Sequence, residues 1–323
     1  MKVVWTTEFG PPEVLVAGEL PDPVARRGHV VVDVHAAALT FVDTQIRAGT
    51  DKWHSAPAVP HIPGGVISGH VSSLGADVDP DWLGRAVLAD TNDEGALAEK
   101  SLLPVSSLIK IPERVGLHEA AAIYSDGTTA FGLVKGAEIQ PNEWVLVEAA
   151  AGGVGTLLVQ LAMSAGARVI GAARGEKKLD FLRELGADEV IDYSAPDWAE
   201  KVRALTGGDG PAVIFDGIGG ALGRTAFELT APGGRFSIHG ASSGSLTKIN
   251  DEEALARGVT VLPIEQLFDF PTHQAEWLNL VFAEVADGRI RPVIGQTFTL
   301  ADAHKAHAAM EARLTKGKTL LVI

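Results

Sequence analysis

The sequence predicts an α/β protein in which a doubly wound parallel sheet is joined to a second, β-rich domain. From about residue 118 onward, apolar strands alternate with amphipathic helices, the pattern of a parallel sheet covered by helices. A buried strand, a glycine turn and a helix follow one another at 144–162. Before residue 118 the chain instead has short alternating stretches between Gly/Pro turns. A length of 323 residues also favours two domains over one core.

The β-rich region is predicted to contain one helical insertion, at 43–47, among short strands. These strands are expected at 2–5, 14–17, 29–36, 69–74 and 85–88. Helices are expected to begin at Leu117 and again at Thr128, separated by a turn at 126–129. The strand and helix alternation then runs through 144–147, 168–172, 176–185, 189–192, 198–205, 212–216, 221–229, 234–239 and 259–262.

After Pro271 the sequence predicts a long helix to about residue 286, a strand at 296–298, a helix at 301–314 and a final strand at 319–323. We expect this tail to return to the first domain and make it discontinuous. The expected domains are 1–119 with 268–323, and 120–267.

The charge balance of 27 basic and 41 acidic residues gives a formal net charge of −14. Such a surface disfavours nucleic acid and anionic membranes as partners. The chain has no cysteine, which excludes disulfides, thiolate nucleophiles and cysteine-based zinc sites. Neither a signal peptide nor an apolar run of bilayer-spanning length is present, so a soluble, cytoplasmic protein is expected.

The glycine turn follows the spacing Ala150-x-Gly152-x-x-Gly155, a dinucleotide fingerprint whose first glycine is replaced by alanine. At such a turn the backbone approaches the pyrophosphate closely, and the first amides of the helix bind the anion. An ordinary strand-to-helix loop is the alternative, but the following strand and helix complete a βαβ unit. The predicted cofactor-binding residues of the turn are Ala151, Gly152, Gly153, Val154 and Gly155.

The ordered motifs along the chain resemble those of the zinc-independent medium-chain dehydrogenases/reductases, in the quinone oxidoreductase (zeta-crystallin-like) family. The matching stretches are Met1-Lys2-Val3-Val4, Glu8-Phe9-Gly10-Pro11-Pro12-Glu13-Val14-Leu15, Pro21-Asp22-Pro23, Val42-Asp43 with Arg47-Ala48-Gly49, Pro60-x-x-Pro63-Gly64 with Gly69-x-Val71, Gly127-Thr128-Thr129-Ala130, the glycine turn, Leu185-Gly186-Ala187-Asp188, Asp216-Gly217-Ile218-Gly219-Gly220 and Gly317-Lys318. The resemblance implies a GroES-like substrate domain and a Rossmann domain. It also implies NADPH as hydride donor and quinones or α,β-unsaturated carbonyl compounds as acceptors.

Three positions depart from the family pattern. Thr40 stands where the family usually has an asparagine that lines the nicotinamide pocket, and Val66 where an acidic residue is common. The tyrosine that the mitochondrial-type enoyl thioester reductases place after Arg-x-Gly is absent, and Thr50 follows Gly49 instead. The last departure argues against a tyrosine-dependent enoyl thioester reductase, and all three leave the acceptor open.

The choice of nucleotide depends on the residues after the second strand of the parallel sheet. An enzyme that selects NAD usually has a carboxylate there for the ribose, whereas this chain has Arg174. Arg174 is expected to bind the 2′-phosphate through its planar fork, and Lys178, which matches a lysine the family uses, to add a charge. The alternatives are a solvated basic helix start and a ribose acceptor role for Glu176. We predict NADPH.

A hydride transfer needs donors that stabilise the developing enolate or hydroquinone oxygen. Thr40, by family position, and Tyr124 are the candidate catalytic donors, although Tyr124 also suits a half-buried aromatic at a domain junction. Gly127 and Thr129 are expected near the nicotinamide ribose, again by family position. His239 and Gly240 follow the fifth strand and are expected near the nicotinamide. Asp43 is assigned to the cofactor site, where it is expected to hold its loop as a helix-start acceptor rather than to move a proton.

The predicted helix at 301–314 contains residues that could ligate a metal ion. His304, His307 and Glu311 fall on one face of a predicted helix. The zinc ligands of the zinc-dependent relatives are missing, so a solvated helix face is expected instead and no metal is predicted.

The sequence therefore predicts an NADPH-dependent quinone reductase that is not a zinc enzyme. The alternatives are an enone or alkenal double-bond reductase on the same scaffold, or a non-catalytic NADPH-binding sensor or structural protein. The loop at 48–60 and the region 268–277 are expected to shape a pocket for a flat apolar acceptor. The apolar strand at 259–262 is expected at a sheet edge, which the family covers by pairing two subunits, so a homodimer is predicted.

Overall fold

A computed structural model describes residues 1–92 and 95–323 of the chain. Contacts between residues divide it into two compact units, which are Met1–Tyr124 with Val293–Ile323, and Ser125–Pro292. The strands are β1 (Lys2–Thr6), β2 (Leu15–Glu19), β3 (His29–Leu39), β4 (Val66–Leu74), β5 (Ala86–Asp90), β6 (Lys100–Pro104), β7 (Leu108–Lys110), β8 (Trp144–Val147), β9 (Arg168–Ala173), β10 (Glu189–Asp192), β11 (Val213–Asp216), β12 (Arg235–Ile238), β13 (Thr260–Leu262), β14 (Ile294–Thr299) and β15 (Lys318–Val322).

The α-helices lie mostly between the strands of the second unit. They are α1 (Phe41–Ala48), α2 (Leu117–Ala137), α3 (Gly153–Ser164), α4 (Glu176–Leu185), α5 (Trp198–Leu205), α6 (Gly220–Leu229), α7 (Asp251–Arg257), α8 (Phe270–Ala286) and α9 (Ala303–Glu311). Within residues 1–92 and 95–323, no helix has both the length and the apolar character that crossing a bilayer requires.

The second unit is built on a six-stranded sheet in the order β10-β9-β8-β11-β12-β13, and every neighbouring pair is parallel. Numbered within this sheet, the order is 3-2-1-4-5-6, which is the doubly wound arrangement of dinucleotide-binding folds. The predicted fold class is confirmed. The strand order reverses between β8 and β11, and ligands of such sheets bind outside the carboxyl ends of the strands at that point.

The first unit contains a mainly antiparallel seven-stranded sheet, β14-β15-β3-β4-β5-β7 with β6 paired to β3, and a separate β1-β2 pair. The last strand of the chain, β15, pairs antiparallel with β3. The core of the first unit is formed by the inward-facing side chains of these strands, among them Val32, Ile67 and Leu321, each fully buried. The strands β6 and β7 were not predicted from the sequence.

Helix α2 differs from its prediction. The sequence predicts two helices separated by a turn at 126–129, but a single helix runs from Leu117 to Ala137. Its glycines are not turn residues. A Cβ at Gly132 would lie 2.3 Å from Cζ3 of Trp277 and 2.7 Å from Cε2 of Phe270, so glycine is needed there for α8 to pack against α2. The predicted turn is wrong because residues 126–129, Gly127 among them, continue the helix.

The segment 268–292 lies in the second unit by its contacts, whereas the sequence-based domain limits assign it to the first. Trp277 of α8 is 5% exposed, and its ring lies 4.9 Å from the ring of Phe270 and 6.1 Å from that of Phe131. These aromatic contacts hold α8 to the helix that precedes β8. The domain limits themselves stay a prediction.

Candidate functional site

The glycine turn joins the end of β8 to the start of α3. Gly152 is the N-cap of α3, and no side chain forms a cap hydrogen bond there. Its N–H donates to the carbonyl of Ala149, at 2.9 Å, and Ala149 has a positive φ of 48°. The first amides of a helix have no partner within the helix, so an end without a side-chain cap can bind an anion.

Gly155 fixes the shape of this turn. A Cβ at this position would lie 2.4 Å from the carbonyl oxygen of Ala149 and 2.7 Å from Cα of Ala150. Ala150, at the first position of the fingerprint, is fully buried and donates its N–H to the carbonyl of Ala172 at 3.0 Å. The alanine is therefore compatible with the turn, whereas a side chain at residue 155 is not. Residues 151–155 form one continuous strand-to-helix turn, and their contact with a cofactor stays a prediction.

The end of β9 carries the residues predicted to select the nucleotide. Arg174 is exposed and follows the last residue of β9, and Lys178 lies in the first turn of α4. Glu176, the alternative ribose acceptor, accepts a hydrogen bond of 2.7 Å from Nη1 of Arg183. The neighbouring carboxylate, Asp192, accepts from the amide of Gly175 at 3.0 Å and from Ser194. Although burial alone would raise the pKa of Asp192, these hydrogen bonds lower it.

Three ionisable side chains meet at the carboxyl ends of β8, β11 and β12. We call Glu148, Asp216, His239 and the adjacent Thr247 the strand-end cluster. Glu148 and Asp216 are fully buried and His239 is half-buried. Asp216 accepts hydrogen bonds from the amides of Ile218 and Gly219, at 2.9 and 2.7 Å, and from Oγ1 of Thr247 at 2.5 Å. This carboxylate is therefore well supplied with donors.

In the strand-end cluster, the surroundings of Glu148 and His239 favour the neutral forms of both side chains. Burial, and then the neighbouring Asp216, raise the pKa of Glu148 well above its ordinary value. Burial lowers the pKa of His239 to about 4, although Asp216 acts in the opposite direction. The surroundings therefore favour the protonated form of Glu148 and the neutral imidazole of His239.

The sequence predicts that His239 and Gly240 lie near the cofactor, but it predicts no role for Glu148 or Asp216. A Cβ at Gly240 would lie 2.7 Å from the carbonyl oxygen of Gly217, so the two loops approach each other closely there. A signal for Glu148 was available, because it is the only charged residue in the apolar and small stretch 144–155. The sequence alone does not identify Asp216 as the neighbour of this carboxyl group.

Thr40 and Asp43 form a capping box at the start of α1. The carboxylate oxygen Oδ2 of Asp43 accepts from the amide of Thr40 at 2.5 Å and from its hydroxyl at 2.8 Å. The expectation that Asp43 is a helix-start acceptor is met by this geometry. Because the Thr40 hydroxyl already donates to Asp43, its role as a catalytic donor stays a prediction.

Tyr124 is half-buried in α2, and its hydroxyl is hydrogen-bonded to the carboxylate of Asp90. Burial and the charge of Asp90 raise its pKa to about 12, so the phenol keeps its proton at neutral pH. Gly127 and Thr129 follow in the same helix. By contacts, Thr40, Asp43 and Tyr124 belong to the first unit, and the other predicted site residues belong to the second.

A cavity of about 350 Å³ lies within the first unit. Its lining includes His54 of the predicted pocket loop, together with Asp43, Arg47, His61 and Asn92. The rest of the lining is mainly apolar and includes Ile46, Pro57 and Pro63. Trp53 of the same loop is 57% exposed.

Of the three residues on the predicted helix face, Glu311 is exposed, His304 is half-buried and His307 is only 1% exposed. Glu311 accepts a hydrogen bond from the guanidinium of Arg47, which is itself 2% exposed. The expected solvated face is therefore wrong for His307, because α9 packs against α1 and buries its inner side. In the part of the chain that the structure describes, no group of three or more His, Asp or Glu side chains is arranged to hold a metal ion.

Comparisons with known proteins agree with this geometry. Residues 26–113 match the model of the alcohol dehydrogenase GroES-like domain, and residues 153–276 match that of the zinc-binding dehydrogenase. The chain is 32% identical over 318 residues to a quinone oxidoreductase of Pseudomonas aeruginosa, covering 97% of each protein. It is 30% identical to a 2-haloacrylate reductase of a Burkholderia species, covering 91% of each.

Among solved structures, Escherichia coli quinone oxidoreductase complexed with NADPH superposes with a TM-score of 0.88, at 29% identity and with 100% of both chains covered. The matches cover nearly the full length of the relatives and the whole of the E. coli chain. The chain therefore belongs to the zinc-independent quinone oxidoreductase family of the medium-chain dehydrogenases/reductases.

Proposed function

We propose that this protein is an NADPH-dependent reductase that transfers hydride to quinones. The observation that carries the proposal is Arg174, a basic side chain at the end of β9 where an NAD-selective site has a carboxylate. The P. aeruginosa relative is named quinone oxidoreductase, and the E. coli enzyme of the same fold is described in complex with NADPH. Both support the proposed acceptor and cofactor.

The residues of the second unit suit this cofactor. The uncapped start of α3, with Ala151, Gly152, Gly153, Val154 and Gly155, binds the pyrophosphate. Arg174 binds the 2′-phosphate with its planar fork and Lys178 adds a second positive charge. Bound NADPH supplies the hydride, and one proton is also needed to convert a quinone into a hydroquinone.

The remaining predicted residues orient the reactants and supply donors. Gly127 and Thr129 approach the nicotinamide ribose, and His239 and Gly240 lie beside the nicotinamide. Asp43 orders the start of α1. Thr40 and Tyr124 are the proposed donors to the acceptor oxygen. To act so, each hydroxyl must turn its one proton away from the carboxylate that now accepts it, Asp43 or Asp90. A Tyr124→Phe variant with unchanged kcat and KM would remove Tyr124 from this role.

A second candidate is the reduction of an activated carbon–carbon double bond. The Burkholderia relative named 2-haloacrylate reductase supports it, because this name implies a conjugated acceptor. The cavity lining with His54, His61 and Arg47 is also compatible with a polar acceptor.

The test is steady-state oxidation of NADPH and, separately, of NADH against a panel of quinones and enones. Turnover with quinones and a strong preference for NADPH are expected. Turnover with enones alone would favour the second candidate. Tight NADPH binding without turnover of any acceptor would instead favour a non-catalytic sensor or structural protein.

Substitutions separate the 2′-phosphate contact from general damage to the fold. Arg174→Ala is expected to raise the KM for NADPH about tenfold or more, since a charge-assisted hydrogen bond contributes roughly 1.5–3 kcal/mol. Lys178→Ala is expected to do so to a smaller extent. Lys177→Ala is the matched control, because Lys177 is exposed on the same helical turn. Equal losses with NADH and NADPH would contradict the assignment.

We further propose a cytoplasmic homodimer. The edge of the parallel sheet is formed by β13, which pairs only with β12 among the described strands. Pairing of two copies at this edge would cover its free backbone groups. Light scattering is expected to give the mass of a dimer, and a monomeric mass would contradict the proposal.

A further inference from the structure

We propose that Glu148 is a positioning residue of the cofactor site, which holds a proton and donates it in a hydrogen bond to Asp216. The neutral acid keeps the strand-end cluster at a single negative charge, beside the place where the anionic NADPH binds. The inference about the cofactor rests on the proposed function, whereas the proton on Glu148 does not.

The sheet places the two carboxyl groups side by side. In the parallel pairing of β8 with β11, Val147 lies opposite Phe215, and the amide of Glu148 donates to the carbonyl of Phe215 at 3.0 Å. Glu148 and Asp216 are the next residues on these two neighbouring strands. Both are fully buried and within hydrogen-bonding reach of each other.

The distribution of donors decides which of the two carboxyl groups carries the proton. Asp216 accepts from two amides and one hydroxyl. Both carboxyl oxygens of Glu148 are buried, and none of the described residues donates a hydrogen bond to them. A buried carboxylate without donors costs several kcal/mol. A proton on Glu148 removes this charge and supplies an O–H group for which Asp216 is the acceptor.

Among the described residues, no positively charged side chain lies beside Glu148 to compensate the charge of an ionised carboxylate. Asp216 faces Glu148 from β11, and His239 follows β12 and lies beside Asp216. Burial lowers the pKa of His239 to about 4, so its imidazole adds no positive charge near pH 7. On the other side of β8, the strand β9 contributes the fully buried apolar Ala172.

The position of the pair links it to the cofactor. β8 and β11 flank the point where the strand order reverses, and a dinucleotide crosses such a sheet there. Glu148 directly precedes the turn at 149–155, and Asp216 holds the amides of Ile218 and Gly219. Ionisation of Glu148 would place two unscreened carboxylates between these turns. It would thus oppose both their spacing and the binding of an anion.

The sign of the expected pH effect follows from linkage. If the protonated form of Glu148 binds NADPH better, the Kd for NADPH rises with pH. The rise approaches tenfold per pH unit, the limit for one linked proton, above the pKa of Glu148 in the free protein. The 2′-phosphate of NADPH is about nine-tenths ionised at pH 7 and almost completely ionised from about pH 8, since its second pKa is about 6 as in other phosphate esters.

The experiment measures the Kd for NADPH by calorimetry from about pH 7 to pH 9.5, with wild type, Glu148→Gln and Glu200→Gln. Glutamine keeps the shape of the acid and a donor for Asp216 but cannot ionise. We expect a rising Kd in wild type and in Glu200→Gln, whose substituted residue is exposed on α5, and a flatter profile in Glu148→Gln. Equal pH profiles in wild type and Glu148→Gln would overturn the role, as would a pH-independent wild-type Kd.

An infrared measurement tests the proton without any cofactor. The spectrum of wild type at pH 7 is expected to contain the C=O band of a protonated carboxylic acid that the Glu148→Gln spectrum lacks. If the band is absent from wild type, the proposal is overturned even where NADPH binds. If the band is present and NADPH does not bind, the cofactor assignment fails and the proton on Glu148 stands. Glu148→Met is the second variant for both measurements, should glutamine prevent folding.

Discussion

Arg47 in the first unit and Glu148 in the second are both nearly inaccessible to water, at 2% and 0% exposed, yet their surroundings treat charge in opposite ways. The guanidinium of Arg47 donates to the carbonyl of Gly10 and to the carboxylate of Glu311. The carboxyl group of Glu148 has another acid as its neighbour and no donor among the described residues.

The comparison indicates that partners, and not burial alone, decide whether a buried group stays charged. Burial lowers the pKa of Arg47, partly offset by Glu13, but a guanidinium starts so high that it remains charged. A carboxyl group without donors is neutralised by a proton instead. The charged side chain therefore ties α1 to α9, whereas the neutral one permits a close approach of two strands.

The largest effect is expected from Arg47→Leu. This change removes a buried cation and leaves the carbonyl of Gly10 and the carboxylate of Glu311 without their donor. Hydrogen bonds to a charged group contribute about 1.5–3 kcal/mol each, so the loss of both is expected to destabilise the protein by at least about 3 kcal/mol. Urea unfolding should give this loss in the free energy of unfolding. A change below about 1 kcal/mol would show that the buried charge is not compensated as the comparison requires.

His307 is a buried base next to Arg47, and it tests the same comparison with a group that loses its charge. Burial, and then the charge of Arg47, lower the pKa of His307 to about 3. Below pH 6.5, His307 binds a proton in the unfolded chain but not in the folded protein, so the free energy of unfolding falls with decreasing pH. Wild type should lose about 2–3 kcal/mol more than His307→Leu between pH 6.5 and pH 4.5, at 1.36 kcal/mol per unit of pH.

The control for this prediction is His304→Leu, a change of a half-buried histidine on the same helix. Urea unfolding at several pH values measures the difference. Identical acid sensitivity of His307→Leu and wild type would show that His307 is protonated in the folded state.

The most specific effect is expected for the pH dependence of the stability of Glu148→Gln. The folded protein keeps the proton on Glu148 over a pH range in which the unfolded chain has released it. The contribution of Glu148 is fully present below about pH 4.5 and declines as the pH rises towards its raised pKa in the folded protein. Glu148→Gln should therefore become more stable relative to wild type as the pH rises, by at most about 1.36 kcal/mol per pH unit.

Thermal unfolding at pH 5 and pH 8 checks this expectation. A difference in Tm between Glu148→Gln and wild type that is the same at both pH values would contradict it. Glu200→Gln is the useful comparison, because its substituted residue is exposed on α5 and its stability relative to wild type should change little between these two pH values.

Local patterns in the sequence were sufficient to predict the parallel sheet of the second unit. Helix α4 begins at Glu176 and ends at Leu185 as the apolar spacing predicts, and the glycine turn lies where the fingerprint places it. Both features depend on residues close together in the chain, which is why a sequence pattern reveals them.

The candidate site was less predictable, because its chemistry depends on contacts between distant segments. Asp216 determines the state of Glu148, Trp277 determines the need for glycine at residue 132, and Arg47 determines the surroundings of His307. No periodicity or motif contains these pairings. Family position supplied Thr40 as a candidate, and the structure added the carboxylate that its hydroxyl contacts.

The close fit of Gly155 against Ala149 and Ala150 has a consequence for turnover. Because strand and helix are in direct backbone contact at this point, the shape of the turn does not depend on a ligand to order it. A dinucleotide can then dissociate after each reaction, and the next can associate, without a loop having to fold and unfold. Little ordering entropy is lost on binding there, so each association of the cofactor costs less free energy.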